Sequence, residues 1–149
     1  MTAITALLVR RMHASQRLYA DLIGALTPEQ LGSRLPGVRS SDVRNHFWCV
    51  VGARESYPRA ARAGSWQGFD SSVAADDAPA AVAATLERTA ADVTAWLNEI
   101  GDDDESSLEW ALALLEHEAQ HHGQLIRYLY GVPLPLPRSW IDAYALDAI

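Results

Sequence analysis

At 149 residues, 49% of them apolar, the chain has room for one domain with one substantial core, and its composition argues against a disordered chain. Its formal charge of −7, with 12 basic residues scattered among 19 acidic ones, argues against nucleic acid, because a phosphate backbone rewards clustered Lys and Arg. No apolar run approaches the roughly 20 residues of a membrane span, and a single cysteine, Cys49, permits no internal disulfide, so a cytoplasmic protein is expected.

Four stretches carry helical periodicity. The first runs from about Thr2 to Leu26, with Ile4, Leu7, Leu8, Met12, Ser15, Tyr19, Leu22, Ile23 and Leu26 on one stripe. Arg10 and Arg11 interrupt it and set it apart from a signal peptide. Thr27-Pro28-Glu29 reads as a fresh helix start, with Thr as cap and Pro in the first turn. After Pro36-Gly37, a second long helix is predicted from Ser40-Ser41-Asp42 to a point between Pro58 and Gly64. It lays Val43, His46, Phe47, Val50, Arg54 and Tyr57 along one side.

Residues 64–77, rich in Gly, Ser and Asp, read as a long connection. A third helix follows from Asp77-Ala78-Pro79, carrying Val82, Leu86, Val93, Trp96, Leu97 and Ile100. Ser106 with Glu109 fits a capping box, so the fourth long helix is expected to begin there and to end near Gly131, ahead of Pro133, Pro135 and Pro137. A last helical piece is expected between Ser139 and Leu146. The short loop between the third and fourth long helices favours antiparallel neighbours. No strand alternation or internal repeat appears. The expected fold is an all-α four-helix bundle with a short C-terminal extension, residues 1–149 forming one domain.

The chemistry is concentrated in His117-Glu118-Ala119-Gln120-His121-His122-Gly123-Gln124. Residues four apart share a helix face, so His117 and His121 can aim two imidazoles at one point, the spacing a metal asks of one helix. Glu109, Glu116 and Arg127 mark the solvent side, which places His117 and His121 in the apolar arc with Trp110, Leu114, Leu125 and Tyr128. His46 also falls on the apolar side of its helix. Three inward histidines on two helices can meet inside a bundle, where metal sites of such folds are built. A lone histidine on an apolar face is otherwise a hydrogen-bonded core residue. His13 is read as a surface residue and His122 as packing or as support behind the ligands, while Cys49, three residues after His46, could approach the metal but is read as a small buried side chain.

The same stretch matches His-Glu-x-x-His, in which Glu118 would be the general base of a zinc peptidase. The third ligand of that class has no counterpart. Arg127 stands where a histidine is wanted, no glutamate follows Glu118, and no sheet edge is predicted to hold a peptide.

With these residues in hand, the chain resembles the DinB/YfiT-like superfamily of metalloenzymes over essentially its whole length. The likeness covers Leu26-Thr27-Pro28-Glu29-Gln30-Leu31, a histidine early in the second long helix, His117 to Ile126, and the Pro-rich segment with Trp140. Many members have His-x-x-His-His-Arg-Gly-Gln, whereas here Gln120 and His122 stand at the fourth and sixth places. The resemblance implies a bundle, often dimeric, that binds zinc or nickel through His46, His117 and His121. It also implies a small-molecule substrate with a low-molecular-weight thiol as co-substrate, since relatives include thiol S-transferases and mycothiol-dependent isomerases. Glu118 is then a candidate catalytic group, one that either supports the ligands from behind or handles protons. Five tryptophans and an apolar tail add to the expectation of a homodimer. A metal-dependent hydrolase, a peptidase and a non-catalytic interaction or stress protein are the other readings.

Overall fold

The computed structural model describes residues 2–147. Four long helices dominate: α1 (Ala3–Ala25), α3 (Val43–Ala63), α4 (Pro79–Glu99) and α5 (Glu105–Gly131). Two short ones, α2 (Pro28–Leu31) and α6 (Arg138–Tyr144), are the other helices among the described residues, which include no strand. The protein is an all-α helical bundle, as its periodicity predicts.

Most helix starts follow the local chemistry of the chain. Thr2 caps α1 on the Thr5 amide, and Asp42 caps α3 on Asn45. Thr27 and Gln30 form a reciprocal capping box on α2, where Pro28 stands in the first turn and forfeits no hydrogen bond. The expected box at Ser106 is not used. Asp104 caps α5 on the Ser107 amide, so the helix begins at Glu105 and encloses Ser106. A carboxylate two residues upstream wins that contest because it is the stronger acceptor and the helix dipole favours its charge. Helix α3 runs through Pro58 and stops at Gly64, whose φ of 69° lets its N–H reach back to the carbonyls of Ala60 and Ala61.

The neighbours are set by packing rather than by loop length. Helix α1 packs chiefly on α4, and α3 on α5, with α3·α4 and α1·α5 closing the ring. Leu8 and Met12 meet Val93 and Trp96, while Leu22 lies with Val82, so α1 and α4 are antiparallel. Arg44 bonds the Asp77 carbonyl at one end and Arg62 pairs Glu99 at the other, so α3 and α4 run parallel. The short loop therefore joins α4 to an antiparallel α5 that is diagonal to it, not adjacent as the loop length suggests.

A parallel pair needs a connection as long as the helices, and residues 64–78 supply it. This segment is strapped to α3 rather than loose. Val73 is buried in the core, the Ser72 N–H and hydroxyl both donate to Glu55, and Arg59 donates to the Gly68 carbonyl. The ring of Phe69 lies over Gly52, where any Cβ would collide with it, and against Trp48.

The core divides into two apolar clusters. One gathers Leu8, Met12, Val93, Trp96, Leu97 and Leu114; the other runs from Leu18 and Tyr19 through Phe47 and Val50 to Leu125, Tyr128 and Trp140. Between them lies a layer of buried polar groups: Ser15, Arg54, Thr89, Glu118 and His122. Ile4 and Leu7, expected on the core stripe of α1, are 42% and 48% exposed. They share their turns with the buried Thr5 and Leu8, so it is the flank of α1 they occupy, turned away from the facing helices, that leaves them exposed.

Candidate metal centre

Because α3 and α5 run antiparallel in contact, a histidine in the first turn of one can face the middle of the other. His46 does so. Its Nδ1 lies 3.1 Å from Nδ1 of His121, and the two rings are 5.3 Å apart between centroids at 73°. His117, one turn earlier on α5, puts its ring 4.5 Å from that of His121. The structure thus brings together all three histidines that the sequence singles out. Tyr128 packs edge-on against His46, and Tyr57 flanks His117.

The separation of the two Nδ1 atoms has chemical content. With metal–imidazole bonds near 2.0–2.1 Å, ligand nitrogens on one tetrahedral ion stand about 3.3 Å apart. Nδ1 of His117 is buried without a hydrogen-bond partner, as is Nε2 of His46, the second nitrogen of a ring that can give a metal only one of the two. A buried polar atom left unpaired is costly, and a ligand that takes its lone pair removes that cost. As the rings stand, no group of three or more His, Cys, Asp or Glu side chains among the described residues is arranged to hold a metal ion. In this arrangement His121 and His46 share a hydrogen bond through their Nδ1 atoms, and His117 is hydrogen-bonded to neither.

The electrostatics favour the ligand form of imidazole. Burial pushes His46 and His117 below their ordinary value. Burial first, and then the neighbouring histidines His117, His46 and His122, lower His121 to about 3. Neutral imidazoles are what a metal binds, and these need not lose a proton at pH 7 to bind one.

Glu118 points elsewhere. It is wholly buried, with Oε1 accepting from Nε of Arg54 at 2.6 Å and Oε2 from Nη2 at 3.0 Å. Ser15 donates its hydroxyl to Oε2 at 2.5 Å. That proton being committed, the 2.9 Å contact between Ser15 and Nε2 of His122 is donated by the ring, and Nδ1 of His122 accepts from the hydroxyl of Tyr144. The phenol of Tyr19 donates to the Glu118 carbonyl. Among the described residues, the Glu118 carboxylate bonds only Arg54 and Ser15, and none of the three clustered histidines.

Arg54 and Ser15 are the residues whose roles sequence reasoning did not assign. The available signal was a polar side chain on an otherwise apolar stripe, which both display. Cys49 is partly exposed and receives only a long contact from Asn45, and His13 sits on the surface against Thr94.

A pH dependence follows for the metal-free protein. His121 at about 3 and His122 at about 4 titrate in the folded state well below the ordinary histidine value near 6.5. Between those values the unfolded chain binds more protons, so stability is intact above about pH 6.5 and is lost progressively as pH falls toward the folded-state values. In the presence of a chelator, the urea midpoint should fall steadily from pH 7 to pH 5. A midpoint constant over that window would contradict the burial of neutral imidazoles.

No family model matches the chain, and no curated protein matches its sequence. No helix among the described residues is long and apolar enough to cross a membrane.

Proposed function

We propose that the chain is a DinB/YfiT-like metalloprotein in which His46, His117 and His121 hold one zinc or nickel ion, and that it transfers a low-molecular-weight thiol to a small electrophile. The observation that carries the metal reading is the histidine cluster itself. It has two Nδ1 atoms at 3.1 Å, close to a ligand–ligand spacing, and beside them the buried Nδ1 of His117, which has no hydrogen-bond partner. A divalent ion held by uncharged ligands keeps its full charge and lowers the pKa of a thiol or water bound to it. The transferase reading draws on the resemblance of His117 to Ile126 and of the second-helix histidine to that superfamily.

The residues around the cluster have positioning work. Tyr128 fixes the plane of His46, and Tyr57 that of His117. The Arg54–Glu118 pair anchors α5 to α3 beside the two α5 histidines. A peptidase would need Glu118 free to take a proton from water, whereas Arg54 and Ser15 occupy its carboxylate. A metal-dependent hydrolase acting on a small molecule remains the second reading, because the same cluster would serve it. A homodimer is part of the proposal. Ile4 and Leu7 on α1 and Leu112 on α5 stay exposed on helices that run parallel from the same end of the bundle, which favours cover by a second subunit.

The test compares zinc- or nickel-loaded protein with chelated protein, using bacillithiol, mycothiol or glutathione and a panel of small electrophiles. Conjugation above the background rate is expected with at least one thiol, and is expected to vanish on chelation. Background rates for all three thiols, with hydrolysis of small esters by the loaded protein, would move the reading to the hydrolase. Background rates throughout would favour a non-catalytic interaction protein.

A further inference from the structure

A cavity of about 610 Å³ opens between α1, α5 and α6, on the flank of α5 away from the three clustered histidines, none of which lines it. That volume falls within the range of small-molecule sites. Its floor is the buried network of Ser15, His122 and Glu118, already mutually hydrogen-bonded. Its walls include the apolar side chains of Leu18 and Leu115. At its mouth stand Arg11 and Arg17, both exposed and neither ion-paired with any described residue. Six residues apart on α1, they flank the opening at two levels about 9 Å apart along the axis. Ser139, on the α6 side, has a buried hydroxyl oxygen with no hydrogen-bond partner.

We propose that this cavity binds a small amphipathic monocarboxylate, its carboxylate at Arg11, Arg17 and the Ser139 hydroxyl and its apolar body between Leu18 and Leu115. The guanidinium fork matches a carboxylate in two parallel hydrogen bonds, and Ser139 Oγ supplies a third donor now left idle. The apolar walls require a ligand with a hydrocarbon part, which inorganic phosphate lacks. Asp21 and Asp142 also line the cavity, so a multiply charged anion is repelled more strongly than a monoanion. The floor, being internally satisfied, asks for no charge and favours an uncharged end. This binding does not depend on a metal.

The experiment is an amide chemical-shift titration of the full chain in chelator, with octanoate as probe and octanamide and inorganic phosphate as controls. Saturable shifts are expected for octanoate at Ala14, Ala119 and Ala143, residues of the cavity wall on all three helices. Octanamide and phosphate should bind at least about tenfold more weakly, as should octanoate to Arg11→Gln and Arg17→Gln, each of which removes a charged hydrogen bond. Both arginines are exposed, so these variants should fold; Ser139→Ala should weaken octanoate by a smaller factor. Absence of saturable octanoate shifts at those amides would overturn the proposal. So would equal affinity for octanamide, or indifference to both arginine substitutions. Tighter binding of phosphate would refute the carboxylate class.

Discussion

Replacing Arg54 by Met should lower the stability of the protein by about 3–5 kcal/mol, because it strands the Glu118 carboxylate in a core that gives it no water. For a chain of this size that corresponds to a fall of very roughly 10 °C in the thermal midpoint. The figure rests on the completeness of the present arrangement. Arg54 is 2% exposed and spends its guanidinium on both oxygens of Glu118, on Gln16 and on the Leu86 carbonyl, with the Tyr19 ring 5.5 Å from its centre. Desolvating the two ions consumes most of their mutual attraction, so the pair as a whole is worth far less than the penalty for breaking it. The double variant Arg54→Met, Glu118→Leu should therefore recover most of the loss. A single variant within about 0.5 kcal/mol of the parent, the ordinary range for surface changes, would show that the pair is not buried as described.

The second large effect is the response to metal. A ligand that binds only the folded state at a thousand times its dissociation constant stabilises it by about 4.1 kcal/mol. Excess zinc should thus raise the midpoint of the metal-stripped protein by about 10 °C. The rise should be lost in His117→Ala, His121→Ala, because one remaining histidine gives no chelate. His46→Ala should reduce it, leaving two ligands on α5. An equal rise in the double variant would place the zinc elsewhere.

How far the sequence revealed this arrangement depends on the range over which each feature is specified. The i, i+4 spacing of His117 and His121 is a property of one helix, so it was legible before any packing was known. The apolar side of α3 likewise announced that His46 faces inward. The pairing of Arg54 with Glu118 depends on the antiparallel register of α3 against α5, which no local pattern contains. Glu118 was consequently read by its motif, as a group that supports the ligands or handles protons, and its ion pair with Arg54 was not foreseen. His122 was read as packing or as support behind the ligands, and its link through Ser15 to that pair required knowing that α1 and α5 lie side by side. The boundaries of α3 followed from Asp42 and Gly64, whereas α5 took the stronger of two nearby caps. The 64–78 segment looked like a bare connection because its anchors, Glu55, Arg59 and Gly52, are dispersed along a different element.

The claim that His46, His117 and His121 hold a divalent metal is tested most directly by elemental analysis of protein purified without an affinity tag, set beside the His117→Ala, His121→Ala variant. About one zinc or nickel per folded chain is expected in the parent and almost none in the variant, with circular dichroism showing both to be helical. A folded parent without metal even after exposure to zinc and nickel, or a variant that keeps its full complement, would contradict it.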